Sequence, residues 1–420
     1  MLKDIFIKNL DDEKKNIIWN IIGTTFNAFN SLFFMIVVTR INGIVESGIF
    51  TMAFSLACLF CIIGGYEGRV YQVTDVKHQF SEKEYIFHRY ITCLLTIFIV
   101  IGYMLIQRYD SHKVIITLLL CLTKLLEVLA DVYYSVLQKN NKLFLVGKSL
   151  FYKSLLSVFT FFIVDLITSN LVYACFSLVV IWLFVFVLYD YPRTRPYYKS
   201  EKKTEIRKVF KLFKYGFFAF AVLFLANYLV NAPKYALDTL IDSSLQAIFG
   251  IILLPATFLS LAAQYLIQPI LTRLATLYSL GEKAEFKRLV RIIMVIILIF
   301  GLICLLLAYF FGIPLLNLLY GVHIDSYKKE LCLIILGAIC YSFSTFLSAV
   351  LTTVRYTFVQ FIISVICSVF GLVVSPILIT QMSISGAALS YLCIMCLQFI
   401  MYMISYATIL NKRVKFEVNI

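Results

Sequence analysis

Twelve stretches of predominantly apolar residues follow one another along this chain, each close to twenty residues long. They are 16–39, 44–65, 86–107, 114–136, 148–167, 171–189, 215–237, 245–268, 289–311, 331–354, 358–379 and 385–409. About 20 helical residues, at ~1.5 Å each, cross the ~30 Å hydrocarbon core of a bilayer. The chain is 61% hydrophobic and 14% charged, where a soluble domain has roughly 45–50% apolar and about 25% charged residues. The ten-residue alternating segments of a membrane β-barrel are absent from the sequence. The expected class is an all-α, polytopic membrane protein with about twelve transmembrane helices.

An even number of crossings places both termini on one side, and the basic residues say which. With the N-terminus inside, 30 of the 37 Lys and Arg fall in cytoplasmic segments. That count includes Arg69 and Arg89 in the second loop, Lys139 and Lys153 in the fourth, and nine between Arg193 and Lys214. Arg40, Arg108, Lys113, Lys328 and Lys329 fall on the other side. The positive-inside rule puts both termini in the cytoplasm. The net charge of +14 is mostly this bias, so no nucleic-acid partner is implied. Residues 1–12 lack the short apolar core of a signal peptide, so none is expected to be cleaved.

The nine-cation loop is the only long linker. It divides the chain into an N-terminal six-helix lobe (1–190), a basic linker (191–214) and a C-terminal six-helix lobe (215–420). Within it Ile206, Val209, Phe210 and Phe213 share one side among many cations. That pattern suits either a helix lying on an anionic leaflet or an ordinary basic loop. The lobes show a faint internal likeness. Each opens with an Asn pair, a cation (Arg40, Lys234), a short polar turn, then a small residue before Ile-Phe. Equal parity of the halves implies a parallel repeat about the membrane normal.

Polar stripes carry the functional signal, because hydrocarbon cannot solvate them. Asn227, Asn231, Lys234 and Asp238 lie on one helix face around Pro233, which should kink the helix or loosen its hydrogen bonds. The stripe either ends in an interfacial Lys234–Asp238 pair or lines a water-filled cavity that binds an anion. Asn16, Asn20, Thr24, Asn27 and Ser31 recur along the first span. Lys124, Glu127, Asp131, Tyr134 and Gln138 form one face of the fourth, and Gln264 and Gln268 sit four apart in the eighth. For the fourth span the alternatives are internal Lys124–Glu127 pairing that glues helices together, or the lining of a cavity. Stripes on separate helices favour a transport pathway.

Several stretches resemble the bacterial polysaccharide-transport flippases, the O-antigen and capsule repeat-unit exporters. They are VTRINGIVESGIF (38–50), GRVYQVTDVKHQFSEKEYIFHRYITC (68–93), KLLEVLADVYYSVLQ (124–138), NAPKYALDTLIDSSLQAIFGIILLPATF (231–258) and QPILTRLA (268–275). That superfamily also holds the multidrug and toxin extrusion antiporters and the peptidoglycan-precursor flippase. The resemblance implies two lobes around a central cavity with alternating access in the bacterial cytoplasmic membrane. It implies an undecaprenyl-pyrophosphate-linked glycan as cargo, membrane lipids as surroundings, and a polysaccharide polymerase and chain-length regulator as further partners. Arg40, Lys124 and Lys234 are the candidate cations for the pyrophosphate. Asn27, Glu127, Asp131, Gln138, Asn227, Asn231, Asp238, Gln264 and Gln268 are candidate polar lining. Arg69, Gln72, Asp75 and Arg273 are candidates for the cytoplasmic mouth and its gating.

Two other classes compete. A cation-coupled small-molecule antiporter needs an intramembrane carboxylate, which Asp131 or Asp238 could supply. A membrane enzyme, such as a polymerase or lipid-linked glycosyltransferase, is disfavoured by short outer loops. There is also no nucleotide-binding Gly-rich loop and no nucleophile beside a base. No cofactor or metal is expected. The CxxC spacings at Cys58/Cys61 and Cys393/Cys396 lie mid-helix without nearby His, and so read as small buried hydrophobes.

Overall fold

The computed structural model describes residues 2–75, 79–197, 205–354 and 356–411, with side chains from Glu13 onward except at 70, 265, 266, 268, 269, 272, 357 and 409–411. All regular structure among these residues is helical: α1 (Leu2–Ile41), α2 (Ile44–Gly65), α3 (Gly68–Thr74), α4 (Glu82–Gln107), α5 (Ser111–Lys139), α6 (Leu143–Thr168), α7 (Leu171–Val185), α8 (Tyr191–Thr194), α9 (Ile206–Leu240), α10 (Ser243–Ser279), α11 (Lys283–Leu307), α12 (Ile313–Tyr320), α13 (Lys328–Thr353) and α14 (Thr357–Asn411).

Ten stretches are long and apolar enough to cross a membrane. The charges Lys124, Glu127 and Asp131 keep α5 out of that set, although its length matches. The stretch Phe358–Thr408 is two crossings. At Ser383 the backbone turns to φ 54°, ψ −127°, and a Cβ on Gly386 would lie 2.0 Å from the Leu378 carbonyl oxygen. The chain therefore doubles back there, and the helices correspond one for one to the twelve expected spans. Two of them continue through π turns, α7 through Phe186–Asp190 into α8 and α11 through Ala308–Gly312 into α12. Pro233 does not interrupt α9, which runs unbroken past it.

The chain divides into two compact units, Met1–Phe224 and Leu225–Ile420. In the first, α1 packs along α6, α2 along α5, and α4 against both α2 and α5. The α1–α6 crossing is a contact of bare backbones. A Cβ on Gly23 would lie 2.1 Å from the Gly147 carbonyl oxygen, and one on Gly147 would lie 2.1 Å from that of Trp19. Small residues at a crossing are how membrane helices approach closely. The start of α4 is fixed by a reciprocal cap between Ser81 and Glu84, and that of α5 by Asp110, whose carboxylate accepts from the Lys113 N–H.

The basic linker resolves into helix from Ile206 onward. Val209 and Leu212 are buried, and Leu212 joins a core with Phe80, Tyr85, Ile86, Val132 and Tyr133. Tyr66 donates its hydroxyl to the Phe213 carbonyl at 3.1 Å. Ile206 and Phe210 face outward, so the expected four-residue apolar side is split between protein and surroundings. In the second unit α13 packs against α10, α11 and α14. All eleven cysteines are free thiols.

Candidate functional site

The polar face of α5 organises the N-terminal unit. Lys124 and Glu127 sit one turn apart, and Lys124 Nζ lies 2.8 Å from Glu127 Oε2. The other carboxylate oxygen of Glu127 accepts from Asn27 Nδ2 at 3.1 Å, tying α5 to α1. Lys124 Nζ also stands 5.2 Å from the centre of the Phe54 ring. These groups border a cavity of about 200 Å³ whose lining includes Asn27, Asn30, Ser31, Phe54, Lys124, Glu127 and Trp182. It has room for several waters at ~30 Å³ each. Both readings of the stripe therefore meet at this position: the ion pair exists, and it lines a cavity.

Further along α5 the face is occupied by arginine. Arg69 on α3 lies 2.8 Å from Asp131 Oδ1 through Nη1. It also donates to Gln138 Oε1 from Nε at 3.2 Å and Nη2 at 2.9 Å. Arg89 Nη2 approaches the other Asp131 oxygen at 3.9 Å, while Arg89 Nη1 donates to the Gly64 and Gly65 carbonyls at the end of α2. Gln72 donates to Glu82 at 2.6 Å and to the Val132 carbonyl at 3.2 Å, and Lys139 holds the second Glu82 oxygen at 2.8 Å. The short α3 is thus clamped onto α4 and α5. Asp75 ends it, accepting from the Gln79 and Phe80 N–H groups and the Tyr85 hydroxyl. Burial pushes the Asp75 carboxyl up, but those three donors outweigh it and hold the carboxyl below its ordinary value.

The sequence reading missed a second ionic centre. Lys153 and Asp190 are 0% and 1% exposed, with Nζ 2.5 Å from Oδ2. Lys153 also donates to the Tyr134 hydroxyl at 2.9 Å, and Ser149 donates to Asp190 Oδ1 at 2.5 Å. Lys153 Nζ lies 4.7 Å from the centre of the Trp182 ring, the same indole that borders the cavity. Three expectations are corrected. Lys153 and Arg89 are not loop cations: they lie inside α6 and α4, and Arg89 is 2% exposed. Tyr134 does not share the hydrated face, because its hydroxyl is buried against Ser149 at 2.8 Å. A lysine within the apolar run LFLVGKSLFYKSLLSVFTF was the available signal for this centre. The position of Asp190 was not legible, since it depends on the π turn that carries α7 past residue 185.

The remaining candidates lie elsewhere. Arg40 is exposed in the last turn of α1, thirteen residues beyond Asn27 and roughly 20 Å along the axis. In the second unit Asn231 Nδ2 donates back to the Asn227 carbonyl at 3.1 Å, so part of that stripe is satisfied within its own helix. Lys234 and Asp238 are half-buried on α9, and Gln264 and Arg273 are exposed on α10. Gln246 donates to the Lys234 carbonyl at 3.2 Å, joining α10 to α9. Gln268 lies in α10, but its side chain falls outside the described residues.

No family model matches the chain. A capsular polysaccharide biosynthesis protein, CapF of Staphylococcus aureus, is 27% identical over 311 residues, which are 73% of this chain and 77% of that protein. Among solved structures, the lipid II flippase MurJ in an inward closed conformation superposes with a TM-score of 0.71 at 15% identity, covering 93% of this chain and 87% of that one. The Vibrio cholerae MATE transporter VcmN in its bent form gives 0.61 at 13% identity, covering 95% and 97%. The chain is a multi-pass, all-helical membrane protein with the fold common to MurJ and the MATE transporters.

Proposed function

We propose that this protein is a flippase that moves undecaprenyl-pyrophosphate-linked oligosaccharide repeat units from the inner to the outer leaflet of the bacterial cytoplasmic membrane, by alternating access, for surface polysaccharide synthesis. The observation that carries this reading is the likeness, over most of the chain, to a capsular polysaccharide biosynthesis protein. The fold of a lipid II flippase supports it. A pyrophosphate brings about two negative charges. Lys124, already ionic and beside a cavity with Asn27, Asn30 and Ser31, supplies a charge-assisted donor amid amide and hydroxyl partners. Arg40 and Lys234 are the further cations of the proposal.

The proposed orientation has both termini in the cytoplasm. Removing Arg89 and Lys153 from the count leaves the positive-inside bias intact. A polysaccharide polymerase and a chain-length regulator are the proposed downstream partners, and no enzymatic step is assigned to this chain. A second reading, a cation-coupled small-molecule antiporter, is favoured by the carboxylate of Glu127 bordering the cavity. Deleting the gene separates the two. The flippase predicts loss of surface polysaccharide with lipid-linked repeat units accumulating in the inner leaflet. Normal polysaccharide with raised sensitivity to cationic drugs would support the antiporter instead.

A further inference from the structure

The start of α11 is strongly basic, with Lys283, Lys287, Arg288 and Arg291 within nine residues. Arg288 is paired with Glu285 at 3.4 Å. Lys287 and Arg291, four residues apart and so on one face, border a groove of about 390 Å³ in the C-terminal unit. Its walls include Met294, Leu347 and Met403, with Tyr406 beside the cations. No carboxylate among the described residues lines it. Beyond the cations α11 is apolar and outward-facing, with Ile292, Val295, Ile296 and Ile299 all exposed, as is Ile404 on α14. Lys287 and Arg291 therefore stand where the helix enters hydrocarbon. The groove begins at two cations and continues along methionine and leucine.

An amphiphile with an anion at one end and hydrocarbon at the other matches that sequence of surfaces. We propose that the groove holds one acidic phospholipid of the surrounding bilayer, its phosphate between Lys287 and Arg291 and an acyl chain along Met294 and Met403. The guanidinium grips phosphate through two parallel hydrogen bonds and the ammonium acts as a point charge. Methionine side chains adapt to an irregular chain surface. The occupant is a bilayer lipid because the groove lies on helices long and apolar enough to cross a membrane, and Ile292 and Ile404, next in sequence to Arg291 and Met403, are exposed. The site is independent of what the protein transports.

Native mass spectrometry of the full-length protein in detergent, offered equal amounts of phosphatidylglycerol and phosphatidylcholine with matched chains, tests this. Wild type should retain phosphatidylglycerol preferentially. Lys287→Gln with Arg291→Gln should cut that retention roughly ten-fold. Met294→Trp should cut it with both cations kept, and Lys287→Arg with Arg291→Lys should preserve it. Arg288→Gln, which removes one charge outside the groove, should retain phosphatidylglycerol as wild type does. Equal retention of the two lipids, or an equal loss in Arg288→Gln, would overturn the site. Displacement of phosphatidylglycerol by equimolar undecaprenyl phosphate would overturn the assignment to a bilayer lipid and give the groove to a polyprenyl carrier.

Discussion

At the scale of single residues, the Lys153 ammonium is a fully buried charge in the N-terminal unit. It is balanced by Asp190 and supported by Tyr134, so each member is affordable only with the others present. Removing one partner of such a pair leaves an uncompensated buried charge, at about 3–5 kcal/mol, whereas replacing both by apolar groups is often close to neutral. Lys153→Ala is expected to lower thermal stability in detergent sharply, and Lys153→Met with Asp190→Leu to recover most of the loss. Equal damage in the single and double variants would show that the charges themselves are required. Residue identity offered half of this centre: Lys153 stands inside an apolar run, but an aspartate near a span end, such as Asp190, usually marks a loop. The Lys124–Glu127 pair was legible, because a three-residue spacing inside an apolar run has few other outcomes. Its second partner was legible in part, since Asn27 stood out as polar on α1 but its register against α5 is set by tertiary packing.

At the scale of elements, the crossing of α1 and α6 is set by two glycines whose missing Cβ atoms let the backbones touch. Gly147→Ala should therefore force the helices apart and destabilise by roughly 1–3 kcal/mol. Gly102→Ala in α4, where nothing lies within 4 Å of the added carbon, should be neutral or slightly stabilising. Melting temperatures of the two purified variants check this, and a silent Gly147→Ala would show that the crossing is looser than described. The twelve spans were readable from hydropathy because each must fill the same hydrocarbon thickness. What was not readable lies at their ends. The clamp of α3 onto α5 joins residues about sixty apart, and the docking of Leu212 depends on a surface assembled from α4 and α5. The reversal at Ser383 fell between two predicted spans, as a change of direction requires.

At the scale of the whole molecule, the fold is shared with transporters and flippases alike, so fold alone does not choose the cargo. Under the proposed function, cations make that choice: Lys124 beside its cavity, with Lys234 on the α9 stripe. Lys234→Arg would keep the charge while changing a compact ammonium into a planar fork, and partial activity should remain. The most direct measurement uses the purified protein in liposomes carrying a fluorescent undecaprenyl-pyrophosphate-linked oligosaccharide in both leaflets, with a membrane-impermeant glycosidase outside. Wild type should expose the inner-leaflet pool to complete digestion, while Lys124→Ala and Lys234→Ala should each leave that whole pool, close to half of the total oligosaccharide, protected, as empty liposomes do. Protection that is the same with wild type and without protein would contradict the account.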